Sequence, residues 1–196
     1  MRLTWLIAVA RIGALGFACL CGLSSFGAPP RNGTQPIVAS EYSIKAAFLL
    51  NFARFIEWPR GSFAGEDAPL VVAILGEDPF GEVMDRTLQA KTVNTHPLLL
   101  KRLRFGDDLS TCHIVFVSRS EKDKVPAIVR SLQGRSVLLV SETEQFLEQG
   151  GIINFYLEAD NVKFSINLSA AEHSGLKISS KLLRLAKIFK AGPPSE

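Results

Sequence analysis

Six consecutive apolar residues, Leu70-Val71-Val72-Ala73-Ile74-Leu75, constrain the fold of this chain more than any other stretch. A strand with one wet face alternates polar and apolar side chains, so an unbroken apolar run needs cover on both faces. Gly76 breaks the run, and Asp78-Pro79 offers an N-cap followed by a first-turn proline, predicting a short helix that reaches Leu88. A second strand is expected within His96–Phe105, where Leu99, Leu103 and Phe105 oppose Arg102 and Arg104; its charged face suits a sheet edge. A third strand runs from His113 to Val117. Ser120-Glu121-Lys122-Asp123 then opens a helix ending near Leu132, before Gly134. Ser136–Val140 reads as a fourth strand, followed by a short helix around Glu142–Glu148. Gly150-Gly151 leads into Ile152–Tyr156, and the turn Ala159-Asp160-Asn161 joins it to Val162–Ile166 as a β-hairpin. Strands interleaved with helices imply a single three-layer α/β domain. Its sheet is mixed and mainly parallel, of about five to six strands, with helices on both faces and a late antiparallel hairpin.

Two helical stretches frame these strands. Ser40 is a suitable cap for a helix from Glu41 to Glu57, on which Phe48, Phe52 and Phe55 recur at i, i+4 and i+7 as a core-facing stripe. Trp58 follows on the same side and Pro59 stops the helix, leaving Glu57 and Trp58 at its edge. Helical segments are expected near Ser169–Glu172 and Ser180–Lys190, separated by Gly175. In the second, Leu182, Leu185, Ile188 and Phe189 make an apolar side, and Lys181, Arg184 and Lys187 recur at i, i+3 and i+6 on another. That cationic face is either solvated or meets an anionic surface or an acidic partner.

The first residues bear on location. Arg2 precedes an apolar run that Arg11 interrupts and that continues from Ile12 to Leu23, with Ser25 and Gly27 at the −3 and −1 positions of a cleavage site. Residues 1–27 therefore read as a secretory signal, 28–39 as a flexible leader, 40–191 as the domain and 192–196 as a tail. Arg11 leaves too short an apolar length for a spanning anchor. Removing the signal takes Arg2 and Arg11 from 22 basic residues, leaving 20 against 19 acids. A net charge near +1 gives no basic excess for nucleic-acid binding. Cys19 and Cys21 leave with the signal, so Cys112 stands alone and no intramolecular disulfide is available. Its place at the start of Cys-His-Ile-Val-Phe-Val predicts a buried thiol.

Chemistry is sparse. Gly76 and Gly81 have P-loop separation, but Glu82 and Val83 stand where Lys and Ser/Thr are needed. No Gly-x-Ser-x-Gly elbow is present, and His96, His113 and His173 form no local metal motif. No cofactor or metal is expected, and the chain reads as a non-enzyme. A catalytic set assembled from distant residues, such as His113 or Ser118, stays open. So does a small-ligand sensor using Gly76 and Ser118 at strand carboxyl ends. Asn32-Gly-Thr34 and Asn167-Leu-Ser169 match the glycosylation sequon.

Several blocks together carry a resemblance. They are Lys45-Ala46-Ala47-Phe48 through Asn51-Phe52-Ala53-Arg54-Phe55-Ile56-Glu57-Trp58-Pro59, Ile74–Gly81, Cys112–Ser118, Gly150–Ile153, Val162–Asn167 and Gly175–Leu183. In this order they resemble the YfiR family of exported bacterial proteins. The resemblance implies a periplasmic regulator that binds the periplasmic portion of a membrane-bound diguanylate cyclase and represses it, lowering cyclic di-GMP and biofilm formation. Some relatives carry cysteine pairs; with Cys112 alone, redox control through an intramolecular disulfide is not expected here. Candidate contact residues are Glu57 and Trp58 at the helix edge, Glu158, Asn161 and Phe164 on the hairpin, and Lys177, Ser179 and Lys181 before the terminal helix, with core packing the favoured alternative for Phe164. A homodimer is left open.

Overall fold

Helix α1 (Gln35–Phe55) opens the part of the chain that the computed structural model describes, residues 35–190. It starts within the stretch expected as leader and ends earlier than Glu57, because Ile56–Glu57 is a short strand, β1. Pro59 accounts for the stop: the residue before a proline is driven toward extended backbone, and the chain straightens ahead of it. Trp58 therefore stands beyond the helix. The signal expected over 1–27, residues 28–34 of the leader and the tail 192–196 lie outside the described residues.

Strand β2 (Leu70–Leu75) is buried at every position. Leu70, Val72 and Ile74 pack with Ala46, Leu49 and Phe52 of α1 and with Met84 and Leu88 of α2 (Glu82–Leu88). Val71, Ala73 and Leu75 face the other way, onto Val125 and Ile128 of α3 (Val125–Ser131). This is the two-sided cover that the apolar run demands. The remaining strands are β3 (Thr92–Val93), β4 (His96–Leu103), β5 (Ile114–Val117), β6 (Leu138–Ser141), β7 (Ile153–Glu158), β8 (Asn161–Asn167), β9 (Lys177–Ile178) and β10 (Lys187–Phe189). Eight of the ten form one sheet, in the order β10-β8-β7-β6-β5-β2-β4-β3. Strands β4, β2, β5, β6 and β7 run parallel, β8 returns antiparallel to β7, and β3 is antiparallel to β4. From β2 and β5 the chain moves outward in opposite directions, so right-handed crossovers place α2 and α3 on opposite faces.

The sheet has more strands than the pattern suggests because β3, with two residues, and β10, with three, are too short to leave a periodicity. The expected helix from Ser120 divides into a 3-10 helix (Arg119–Lys124) and α3. Residues 142–148 form turns instead of a helix. The terminal helix is also shorter than expected: α5 spans Ser180–Leu183, and Lys187–Phe189 is added to the free edge of β8 opposite Ser165–Asn167. Edge pairing supplies partners for backbone groups that a cationic helix at that place would leave open.

Candidate functional site

The stop imposed by Pro59 shapes a surface. β1 pairs antiparallel with β9, setting Ile56 opposite Ile178 and Glu57 opposite Lys177. The ribbon continues through a hydrogen bond from Ser179 N–H to the Phe55 carbonyl at 2.9 Å. The Ser179 hydroxyl caps α5 by accepting from Lys181 N–H at 3.3 Å, so its role is to hold Lys181 in place. Glu57, Lys177 and Lys181 are exposed beside one another in this ribbon and its extension. Five of the expected contact residues, Glu57, Trp58, Lys177, Ser179 and Lys181, thus share one end of the domain.

Trp58 turns from this ribbon toward the loop that leads to β2. Its ring meets Phe63 edge-on at 6.3 Å and His113 at 6.2 Å. Phe63 itself lies between two imidazoles, stacked on His96 at 3.8 Å and 8° and on His113 at 4.3 Å and 14°. The fold explains the sandwich. His96 begins β4 and His113 precedes β5, strands that flank β2, so the two rings stand about two strand spacings, roughly 10 Å, apart. One aromatic ring fills that gap. The indole N–H of Trp58 is buried and has no hydrogen-bond partner among the described residues.

A cleft of about 810 Å³ opens beside these rings, with Ile56, Trp58, Phe63 and Leu70 among its walls. Arg54, Glu57, Arg60 and Glu66 also line it, and their side chains make no ion pair or hydrogen bond among the described residues. Two cations and two anions at one mouth, none satisfying another, leave a mixed-charge rim around an apolar floor. Sequence reasoning missed Phe63 and the meeting of His96 with His113. Only the order of the strands brings them together, and no local spacing signals it.

The hairpin residues lie elsewhere. Because β7 runs parallel to β6, its Glu158 end projects from the carboxyl ends of the strands, whereas Leu70, His96 and His113 mark the amino ends. Glu158 pairs with Lys163 of its own hairpin, and the Asn161 amide donates to the Ala159 carbonyl at 2.9 Å. Phe164 is not on the surface: it is 1 % exposed and packs on Phe48 and Phe52 at 5.2 Å each. Its core packing, the other reading of this residue, follows from β-strand alternation, which turns Phe164 with Ile166 toward α1.

The carboxyl ends of the strands do not hold an open ligand crevice between β2 and β5. Glu77 N–H donates to the Ser120 hydroxyl at 3.0 Å, and a Cβ placed on Gly76 would lie 2.4 Å from that oxygen. His113 and Ser118 flank opposite ends of β5 and form no catalytic pair. Both His113 nitrogens are engaged: Nδ1 accepts from Val71 N–H at 3.1 Å, and Nε2 donates to the Ser62 carbonyl at 3.0 Å. Burial pushes its pKa below the ordinary value of 6.5, and neighbouring His96 adds to that. Asn167 is equally occupied, capping Ala170 N–H and donating to the Leu147 carbonyl.

Fold and surface together define a three-layer α/β domain that presents an aromatic, charge-rimmed cleft at the amino ends of its strands. Residues 42–187 match the YfiR/HmsC-like family, so the chain belongs to that family. The family is one of periplasmic regulators associated with diguanylate cyclase systems, not of enzymes. Among the described residues no helix is long and apolar enough to cross a membrane.

Proposed function

We propose that this protein represses an inner-membrane diguanylate cyclase by docking on its periplasmic portion through the β1–β9 ribbon and the cleft beside Trp58. Repression lowers cyclic di-GMP and biofilm formation. The observation that carries this reading is the conjunction of Trp58 with four charged side chains, unpaired among the described residues, around one cleft. Interface anchors are typically aromatic side chains set in a polar rim. Repression requires tighter binding to the inactive state of the partner than to the active one, because equal affinity shifts nothing. Glu158 and Asn161 are outside this surface, since their polar atoms serve the hairpin turn.

The test measures cyclic di-GMP in cells carrying variants of the full chain. Trp58→Ala should weaken docking by about 2 kcal/mol, roughly thirtyfold, and raise the nucleotide. Lys177→Glu should raise it as well, while Glu158→Lys leaves it near the parent level. Normal repression by both Trp58→Ala and Lys177→Glu, with circular dichroism showing folded proteins, defeats the proposal.

A further inference from the structure

The loop from Pro59 to Pro69 is tied to the strands by three hydrogen bonds among the described residues. Two come from imidazoles: His113 Nε2 to Ser62 O at 3.0 Å, and His96 Nδ1 to Ala68 O at 2.7 Å. The third runs from the Thr95 hydroxyl to Glu66 O at 2.7 Å. Phe63, the loop's only aromatic ring, is the slice between the same two imidazoles. We propose that this loop is a pH-operated clasp on the cleft, closed while His113 is neutral and released when His113 takes a proton.

The two histidines differ in what a proton does to them. His96 Nδ1 donates to a carbonyl, and its other nitrogen has no hydrogen bond among the described residues to lose. His113 has no such freedom. Its Nδ1 accepts a backbone N–H, so a proton on that atom sets donor against donor. The ring must then turn, which gives up Ser62 and the stack on Phe63. The groups facing His113 offer no counter-charge. They are His96 across Phe63, the Trp58 ring edge, the Cys112 thiol, and Arg60 and Arg135 in a small cleft of about 280 Å³ that contains no carboxylate.

The sign follows from this asymmetry. His113 binds its proton less readily in the folded loop than in an open one, so closure is fully favoured above the ordinary histidine range and is lost as pH falls through the lowered value. Release moves Phe63 away from Trp58 and removes one wall of the cleft. As a control on docking, the clasp rests on the reading proposed above; as a motion of the loop, it does not.

The experiment therefore uses the chain without a partner. The sequence holds two tryptophans, Trp5 and Trp58, so in a Trp5→Phe background the emission comes from Trp58 alone. Titration from about pH 7.5 to about pH 5 should red-shift that emission, the open-to-closed ratio rising at most about tenfold per pH unit. His96→Gln should raise the midpoint, because it removes both a neighbour that disfavours the His113 proton and one of the three ties that hold the loop closed, and His113→Gln should abolish the transition. Should His113→Gln not fold, ¹⁵N spectra of the His113 ring in the parent decide instead, because ring protonation and the Trp58 shift must share one midpoint. A flat emission profile, a transition surviving in His113→Gln, or a midpoint that does not follow His113 overturns the clasp. None of these readouts involves the cyclase, so the clasp and the docking surface fail separately.

Discussion

Lys45 is 2 % exposed and is held by Glu41 one turn earlier on α1 and by Glu142 after β6, itself 3 % exposed. Glu142 also accepts from the Tyr42 hydroxyl at 2.8 Å and from Arg119 Nε at 3.1 Å. Burial, reinforced by that carboxylate, pushes the Tyr42 phenol well above its ordinary pKa and keeps it a donor. This network fastens the start of α1 over the carboxyl ends of the strands. Its two most buried charged side chains, Lys45 and Glu142, are unequal in what their loss leaves behind. Glu142→Gln strands a buried ammonium with Glu41 as its remaining charge partner, a loss of about 3 kcal/mol. Lys45→Met leaves Glu142 bonded to Tyr42 and to Arg119, whose head reaches solvent, and costs about 1 kcal/mol or less. Urea unfolding of the two variants checks the order, and equal losses count against it. None of this was visible in the sequence, where Glu142 reads as the start of a short helix. By contrast Glu57 and Trp58 were legible as an edge pair, because the proline rule acts locally on the residue before Pro59.

At the scale of elements, the β7–β8 hairpin turns on Ala159 and Asp160, both with positive φ, 48° and 61°. Two successive left-handed residues are the signature of the I′ turn that matches strand twist, and neither alanine nor aspartate is its best occupant. Ala159→Asn with Asp160→Gly should therefore stabilise the protein by about 1 kcal/mol and raise Tm by roughly 2–4 °C, read by thermal unfolding. A lower Tm rules out that turn geometry. The hairpin was legible because both strands alternate around a polar turn, and β2 because its run is apolar throughout. Lys187–Phe189 was not legible as a strand: Lys181, Arg184 and Lys187 at i, i+3 and i+6 fit a helix that runs through it, and only the vacant edge of β8 decides otherwise. The clasp was hidden for a similar reason. His96 and His113 are far apart in sequence and meet around Phe63 only because β4 and β5 take opposite sides of β2.

At the scale of the whole molecule, two apolar layers back the sheet, and Cys112 belongs to the one under α3, with Val115, Val137 and Leu139. It is 3 % exposed, and burial raises its thiol pKa above the ordinary value. Outside the first 21 residues it is the only cysteine in the chain. An intermolecular disulfide through Cys112 needs its thiolate at the surface, so the native fold opposes it twice, by access and by ionisation. The native fold thus disfavours a thiol switch through Cys112, and the proposed docking cleft and clasp rely on contacts and conformation instead. Labelling makes the point measurable. Iodoacetamide should modify Cys112 in the native protein at least about a thousandfold more slowly than in the urea-unfolded chain, because reaction awaits opening of that layer. The native rate should also climb with urea as steeply as global unfolding does, since exposing Cys112 exposes the core around it. Rapid labelling, or a rate insensitive to urea, means that the layer under α3 opens by itself, and that a thiol-based switch is within reach after all.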